Sequence, residues 1–539
     1  MASYDQQWIK TFGDSSFDNG RAITAANDGT GDIFVAGKTR NNGSGDFGDG
    51  AQIYSSDYSP DGTIYNSYLH YDGYISRFNS AGDEIWTQLI NNEYGGTEAG
   101  DSHYYPRGVV VDNNGNVYVS TFVTNAETGN LTFKGFDENG DAIQDPITGD
   151  ASAQKWQLFL QQYDAEDGTL KWGSVWDEYG QSQSVEAVDN ALSIDSNNNP
   201  IVIAKSGLYS YAAKFNDEDG DIEWSTDLFR NSGARSVDVD DENNVFITGV
   251  TRNVMDYPTL HRYTGMYPSG STIPNDDADG EATNANGSAG FLTKLDSSGN
   301  PLWATVLRGE DSVQPCSLTV SRNGDIYVVG RSSADDLPTL SGFNDTAFYA
   351  FLAKYDNDGD WKWTQSLGEQ PNTDQIFDVT QGAIGDDSIY VVGQTYNALS
   401  TISPDSVNEG SGDIILANFD ADTGSQNWIQ QLGTSTNDYG QAIISSEDGS
   451  IYITGSTSED FSTFANNGNL GNLDILIAKF NGYEGAGSSN PSGGSGQLDL
   501  VDTQGTNADG SGSGEEDTTI TGTISAEDVE GLTDKTYFS

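Results

Sequence analysis

Gly324-Asp325-Ile326-Tyr327-Val328-Val329-Gly330, then Phe351-Leu352-Ala353-Lys354-Tyr355-Asp356-Asn357-Asp358-Gly359, then Trp363: these three pieces, in this order, decide the fold. The first two are short β-branched and aromatic runs bounded by turn residues, which is the pattern of a strand. Asp-Asn-Asp-Gly supplies the left-handed positions that a tight hairpin needs. Working outward, the same block recurs at Ile33-Phe34-Val35-Ala36-Gly37, Val117-Tyr118-Val119, Ile201-Val202-Ile203, Val245-Phe246-Ile247-Thr248-Gly249, Ile389-Tyr390-Val391-Val392-Gly393 and Ile451-Tyr452-Ile453-Thr454-Gly455. Each block belongs to one of seven tryptophans, Trp8, Trp86, Trp172, Trp224, Trp303, Trp363 and Trp428. Four short strands per repeat is a propeller blade, so the count predicts an all-β, seven-bladed β-propeller. Trp8 stands on a strand with no block before it, and the last block, at Lys479-Phe480, has no tryptophan strand after it. Pairing the two would close the ring and remove its open edges.

The propeller is expected over residues 1–482. Residues 483–514, rich in Gly, Ser, Asn and Asp, read as a flexible linker. Residues 515–539 restart an alternating strand pattern, too short for a domain, as if beginning a β-sandwich-like segment of a longer chain.

Charge is the outlier: 23 basic against 82 acidic residues, a formal net of −59. Such a field repels nucleic-acid phosphates and anionic membranes, and salt or divalent cations should relieve its self-repulsion. Cys316 is the only cysteine, so neither an intrachain disulfide nor a thiolate metal cluster is available. No apolar run approaches the ~18 residues of a spanning helix, and no N-terminal secretory pattern is present. Export, if it occurs, is expected to use a signal outside this segment.

Long insertions at residues 40–71, 124–156, 252–289 and 396–412 all fall on connections that open on one face, while the other face receives short turns. Insertions gathered on one face of a repeat protein mark the binding face. Aligning the innermost strands places Arg21, Arg107, Asn190, Arg235, Cys316, Gln375 and Gln441 at one repeat position. The next position holds Ala22, Gly108, Ala191, Ser236, Ser317, Ile376 and Ala442, small residues for the most part, as a converging axis needs. Three arginines at one position could hold a carboxylate, a sulfate or sugar hydroxyls, because the guanidinium fork matches planar oxyanions. They could equally bond an acid or carbonyl of the loops leading into the blades, such as Asp18. Tyr54, Tyr58, Tyr65, Tyr68, Tyr71, Tyr104, Tyr105, Tyr257, Tyr263 and Tyr267 lie on the same side, suited to stacking on sugars, to gripping a protein, or to packing the loops. Asn275, Asp277 and Asp279 offer oxygen ligands at alternate positions before Gly280, as calcium loops do, but Asn286 stands where an EF-hand needs its glutamate. A looser calcium site is the reading left, and no other cofactor is implied. No P-loop, dinucleotide fingerprint or nucleophile elbow is found.

The tryptophan-to-tryptophan blocks, with Gly-Asp-Ile-Tyr-Val-Val-Gly and Phe-Leu-Ala-Lys-Tyr-Asp-x-Asp-Gly inside them, resemble the SBBP repeat family over roughly residues 8–482, most specifically in blades five to seven. The resemblance implies a seven-bladed propeller of the kind found in large bacterial extracellular or envelope proteins, and no settled activity. It weakens in blade three, where Pro200 enters the second strand. Residues 516–531 look like the first strands of a cadherin-like or VCBS-type surface domain, which are often tandem and calcium-dependent. Asp420 to Trp428 also resembles the tryptophan-docking turn of quinoprotein dehydrogenase propellers. Those typically have eight blades, a calcium-bound quinone and adjacent paired cysteines, against seven tryptophans and one cysteine here.

The expectation is therefore a non-enzymatic, extracellular or cell-surface adhesion-like module, a monomeric propeller within a longer chain, that binds glycan or protein, with an anionic ligand favoured by the arginines. Neither nucleic acid nor membrane insertion is expected. A propeller enzyme acting on polysaccharide and a structural spacer are the alternatives.

Overall fold

A computed structural model describes residues 6–13, 17–39, 71–90, 103–126, 134–136, 142–144, 155–176, 185–206, 209–230, 232–251, 289–307, 312–332, 349–367, 374–399, 410–459, 461, 473–481, 500–501 and 507–508. Among them are seven four-stranded antiparallel sheets and no helix, hence none long and apolar enough to cross a membrane. The chain divides into residues 1–483, the propeller, and 484–539. In the second unit, the described residues form one short pair, Leu500–Val501 with Asn507–Ala508. The expected linker and cadherin-like segment otherwise lie outside the described residues.

Five blades are consecutive quartets of strands; in blade two a short hairpin, Lys134–Phe136 with Ala142–Gln144, falls between the second and third strands. The seventh is closed by the N-terminus: Gln6–Phe12 pairs antiparallel with Asp474–Phe480, from Gln6 opposite Phe480 to Phe12 opposite Ile475. Second strands such as Ile326–Ser332 are buried almost throughout, because each blade is covered on both faces by its neighbours. The core accordingly lies between blades, in seven apolar clusters that each join two adjacent sheets. Pro200, the irregularity of blade three, is the first residue of its strand, where a missing N–H is tolerated.

The repeated motif residues meet at these joints. From blade five, Tyr327 and Lys354 both donate to the Ala421 carbonyl of blade six at 3.0 Å, and Trp363 Nε1 donates to the Asp422 carbonyl at 2.9 Å. The Trp363 indole lies over Gly424, where a Cβ would sit 2.8 Å from the ring and φ is +70°. Lys354 is further held by Asp325 at 2.8 Å, with its ammonium over the Tyr327 ring at 5.5 Å. The same docking joins Trp8 to Gly82, Trp86 to Gly168, Trp172 to Gly220, Trp224 to Gly299 and Trp303 to Gly359. The Tyr of the second strand, the Lys of the third, the Trp of the fourth and the Gly of the hairpin are thus one interlock between neighbours.

Two outcomes follow. Gly424→Ala should lose about 2–4 kcal/mol, combining left-handed strain of ~1 kcal/mol with displacement of the indole. Gly385→Ala, with φ +88° and nothing within 4 Å of its Cβ site, should lose only the strain. Equal losses in paired denaturant melts would contradict the docking account. Deleting residues 1–13 removes a whole strand of blade seven and Trp8, whose Nε1 donates to the Ser80 carbonyl of blade one at 3.2 Å. Loss of cooperative melting, or aggregation, is expected; an unchanged melt of a soluble monomer would contradict closure.

Candidate functional site

Each innermost strand carries a one-residue bulge near the face on which the long insertions open, except in blade three, where residues 188–191 bulge. A bulge turns its extra residue out of the ladder, here towards the axis. It also explains the glycine that ends the Tyr-Val-Val-Gly run. The carbonyl displaced by the bulge crowds the second strand, so a Cβ on Gly330 would lie 2.3 Å from the Gln314 oxygen. Blades two and three carry Thr121 and Ala204 at that position.

The bulged residues are Arg21, Arg107, Arg235, Cys316, Phe377 and Gln441, with Asn190 in the wider bulge of blade three. Blade six corrects the sequence alignment by two residues. Ile376 pairs with Gly393 and Asp378 with Val392, so Phe377 takes the position assigned to Gln375, and Asp378 takes the small-residue position assigned to Ile376. Asp378 was missed because the two-residue offset put Ile376 in its place.

Asp378 is buried, and its place is explained by its partners. Its Oδ1 accepts from Asn190 Nδ2 at 2.9 Å and Ser317 Oγ at 2.8 Å; its Oδ2 accepts the Ile443 N–H at 2.9 Å. One carboxylate thereby ties blades three, five, six and seven together across the axis. Asn190 reaches it by adopting φ +54°, a left-handed conformation that asparagine tolerates better than most residues. Burial pushes the Asp378 carboxyl up to about 6, against the pull of the Ile443 N–H, Ser317 and other donors. In blade four, two residues beyond Ser236, which holds the equivalent position, Asp238 accepts the Val320 N–H at 2.8 Å and Ser193 Oγ at 3.2 Å, bracing blades three to five.

Above this network lies a cavity of about 240 Å3 at the axial mouth. Arg21, Arg235 and Arg331 line it with Asn190, Gln314, Gln375 and Gln441, and no carboxylate is among its described lining residues. Arg21 Nη1 donates to Gln441 Oε1 at 2.8 Å; Arg331 donates through Nε and Nη2 to Gln314 Oε1 at 3.0 and 2.9 Å. The amide of Gln441, across the blade one–blade seven joint, is thus one hydrogen-bond partner of Arg21. Arg235 is exposed and makes no hydrogen bond or ion pair with any described residue.

Other expected site residues are placed elsewhere. Arg107 is not among the described lining; its guanidinium lies 5.7 Å over the Tyr105 ring. Tyr104 is 3% exposed and belongs to the core between blades one and two, so it cannot meet a ligand. Strand alternation sends Tyr104 inward and leaves its neighbour Tyr105 half-buried, against Tyr71 and Phe122. Arg331 was the residue missed: it stands on a second strand, outside the position that was aligned. Asn275, Asp277 and Asp279, and most of the insertion tyrosines, lie outside the described residues. Among the described residues no group of three His, Cys, Asp or Glu side chains is placed to hold a metal ion.

Residues 85–120 and 427–462 match the sequence profile of a family described as the β-propeller repeat, SBBP. No curated protein sequence matches. Similar solved structures include the Dos1 propeller, 12% identical over 88% of this chain and 95% of that one (TM-score 0.41). A protein of unknown function from Dyadobacter fermentans is 9% identical over 90% of this chain and 100% of that one (TM-score 0.40). The quinohemoprotein alcohol dehydrogenase from Comamonas testosteroni is 11% identical over 80% of this chain and 68% of that one (TM-score 0.34). They include an enzyme and a protein of unknown function, and at this similarity no activity follows for the present chain.

Asp378 generates a pH prediction. Its folded-state value, about 6, lies above the usual carboxylate range, so between about pH 4 and 6 the folded protein holds a proton that the unfolded chain has released. Its contribution to stability is therefore full at low pH and is lost as pH rises through 6. Asp378→Asn removes the titration and, with a mismatched donor facing the Ile443 N–H, costs about 1–3 kcal/mol. The stability gap between wild type and variant should be wider at pH 4.5 than at pH 7.5, by up to ~1.4 kcal/mol per pH unit across the window. A constant gap in parallel denaturant melts would contradict this.

Proposed function

We propose that this propeller is a non-catalytic binding module, working outside the cell, that recognises a carboxylate- or sulfate-bearing glycan at its axial mouth. One observation carries the reading: in a chain with 82 acidic residues, the axial cavity gathers three arginines and four amides, with no carboxylate among its described lining residues. An amide oxygen orients a guanidinium without cancelling its charge, as Gln441 does for Arg21 and Gln314 for Arg331. The guanidinium geometry matches a planar oxyanion, and Arg235, exposed at the same mouth, presents one such group. The surrounding negative field disfavours anions everywhere else and selects for one that reaches the mouth.

Guanidinium and amide groups hold oxyanions but do not exchange protons near neutral pH, which favours binding over catalysis. The thiol lining the cavity, Cys316, donates to the Gln314 carbonyl at 3.8 Å, and no histidine or acid among the described lining residues is there to activate it. The SBBP resemblance, with its association with extracellular and envelope proteins, supports the location. The face on which the insertions open supports recognition there.

The test is titration with sulfated and uronic oligosaccharides beside neutral counterparts. Arg21→Ala, Arg235→Ala and Arg331→Ala should each weaken binding of the acidic ligands about tenfold or more. Arg107→Ala should leave it within about twofold, and added salt should weaken it throughout. Arg235→Ala should leave the melting temperature almost unchanged, since surface substitutions usually cost within about 0.5 kcal/mol. Neutral and acidic glycans binding alike, or affinity indifferent to all three arginines, would overturn the reading.

A further inference from the structure

A second cavity, of about 430 Å3, opens between blades six, seven and one. It shares Arg21, Gln375, Phe377 and Gln441 with the axial cavity, so the two form one continuous depression. Its chemistry differs from the first. Phe17 and Tyr396, each 39% exposed, are two of only six large apolar side chains exposed among the described residues, and both line this cavity. Single exposed apolar side chains are ordinary, whereas two aromatics gathered at one concavity mark a contact surface. Tyr71 and Tyr439 add two more rings, and Gln394 a further amide.

These aromatics are held by the blade framework. Phe17 forms a bridge with Leu473, and the adjacent Asp18 N–H donates to the Leu473 carbonyl at 2.7 Å, which joins blade one to blade seven. Tyr396 follows the second strand of blade six and packs on Gly412, where a Cβ would lie 3.1 Å from its ring. Burial and the neighbouring Tyr439 phenol push the Tyr396 hydroxyl up, so it stays protonated as a donor. Tyr71 is capped by the Lys38 ammonium at 4.4 Å.

We propose that this cavity seats a neutral pyranose ring beside the acidic residue, so that the ligand is an acidic oligosaccharide read over at least two sugars. The inference rests on the reading of the axial cavity as an anion site. A pyranose presents an apolar C–H face, which an aromatic ring covers, and a rim of hydroxyls, which amides satisfy as both donor and acceptor. The volume falls within the range of about 300–1,000 Å3 usual for small-ligand sites. The shared Arg21 and Gln441 fix the junction: the charged group of one sugar at the axis, the ring of the next over Phe17 and Tyr396.

The experiment uses the full chain and calorimetric titration with hyaluronan, chondroitin sulfate, alginate and carrageenan tetrasaccharides. Neutral chito- and cello-tetraose, glucuronate alone, inorganic sulfate and an acidic hexapeptide complete the set. The best acidic tetrasaccharide should bind at least about tenfold tighter than glucuronate or sulfate. Tyr396→Ala should remove most of that advantage while leaving the affinity for glucuronate within about twofold, and Tyr396→Phe should retain it. If Arg235→Ala weakens the tetrasaccharide but Tyr396→Ala and Phe17→Ala do not, the sugar subsite is overturned and the anion site stands. If neutral tetrasaccharides bind as well as acidic ones and lose affinity in Tyr396→Ala, the anion site is overturned and the sugar subsite stands. Binding of the peptide with no saccharide bound, or of no probe at all, overturns the inference.

Discussion

An indole laid over a glycine in the neighbouring blade is the contact on which the ring depends. Blades are not bonded to one another through backbone ladders except at a few bridges, so their seven interfaces rest on side chains. At the joint of blades five and six, Trp363, Lys354 and Tyr327 come from three different strands and converge on one hairpin. The glycine is required twice over, for its positive φ and for the absence of a Cβ under the ring. Among the described residues the indole–glycine contact recurs at six of the seven joints. The N-terminal strand then supplies blade seven with its tryptophan and joins it to blade one.

The interlock also uses five of the 23 basic residues. Arg77, Lys214, Lys294, Lys354 and Lys479 occupy equivalent places on third strands, and each has an aspartate within 4 Å on the short-turn side. Lysines there offset the acidic hairpins locally, in positions where pairing is half-buried and less screened than at the open surface. Arg21, Arg235, Arg331 and Lys38 belong to the opposite end, around the two cavities. Cations on one side are therefore explained by aspartates of their own blades, and the arginines of the axial mouth lie beside amides.

Between the two ends runs the axial network. The bulge that aims a side chain at the axis also moves a backbone carbonyl against the second strand, so the mouth and the glycine of Tyr-Val-Val-Gly are two consequences of one irregularity. Below the mouth, the buried Asp378 carboxylate draws donors from three other blades. A buried carboxylate so placed orders its partners strongly when they are all present and is costly when one is removed. The floor of the cavity is accordingly coupled to the closure of the ring.

Blade count, strand order and the closing role of Trp8 were legible in the chain, because they follow from local signals repeated at regular intervals: β-branched runs, Asx-Gly turns and a tryptophan per unit. Arg21 and Arg235 were legible for the same reason, since each repeats at one position. What could not be read was whatever depends on how seven units meet at one axis. The two-residue offset in blade six, the burial of Tyr104, Asp378 at the centre and Arg331 from a second strand are all of this kind. A bulge changes which side of a strand every following residue faces, and a side chain at the axis answers to neighbours hundreds of residues away, as Asp378 answers to Asn190 at a separation of 188. Periodicity carries the repeat; only the closed ring brings together the residues that differ from it.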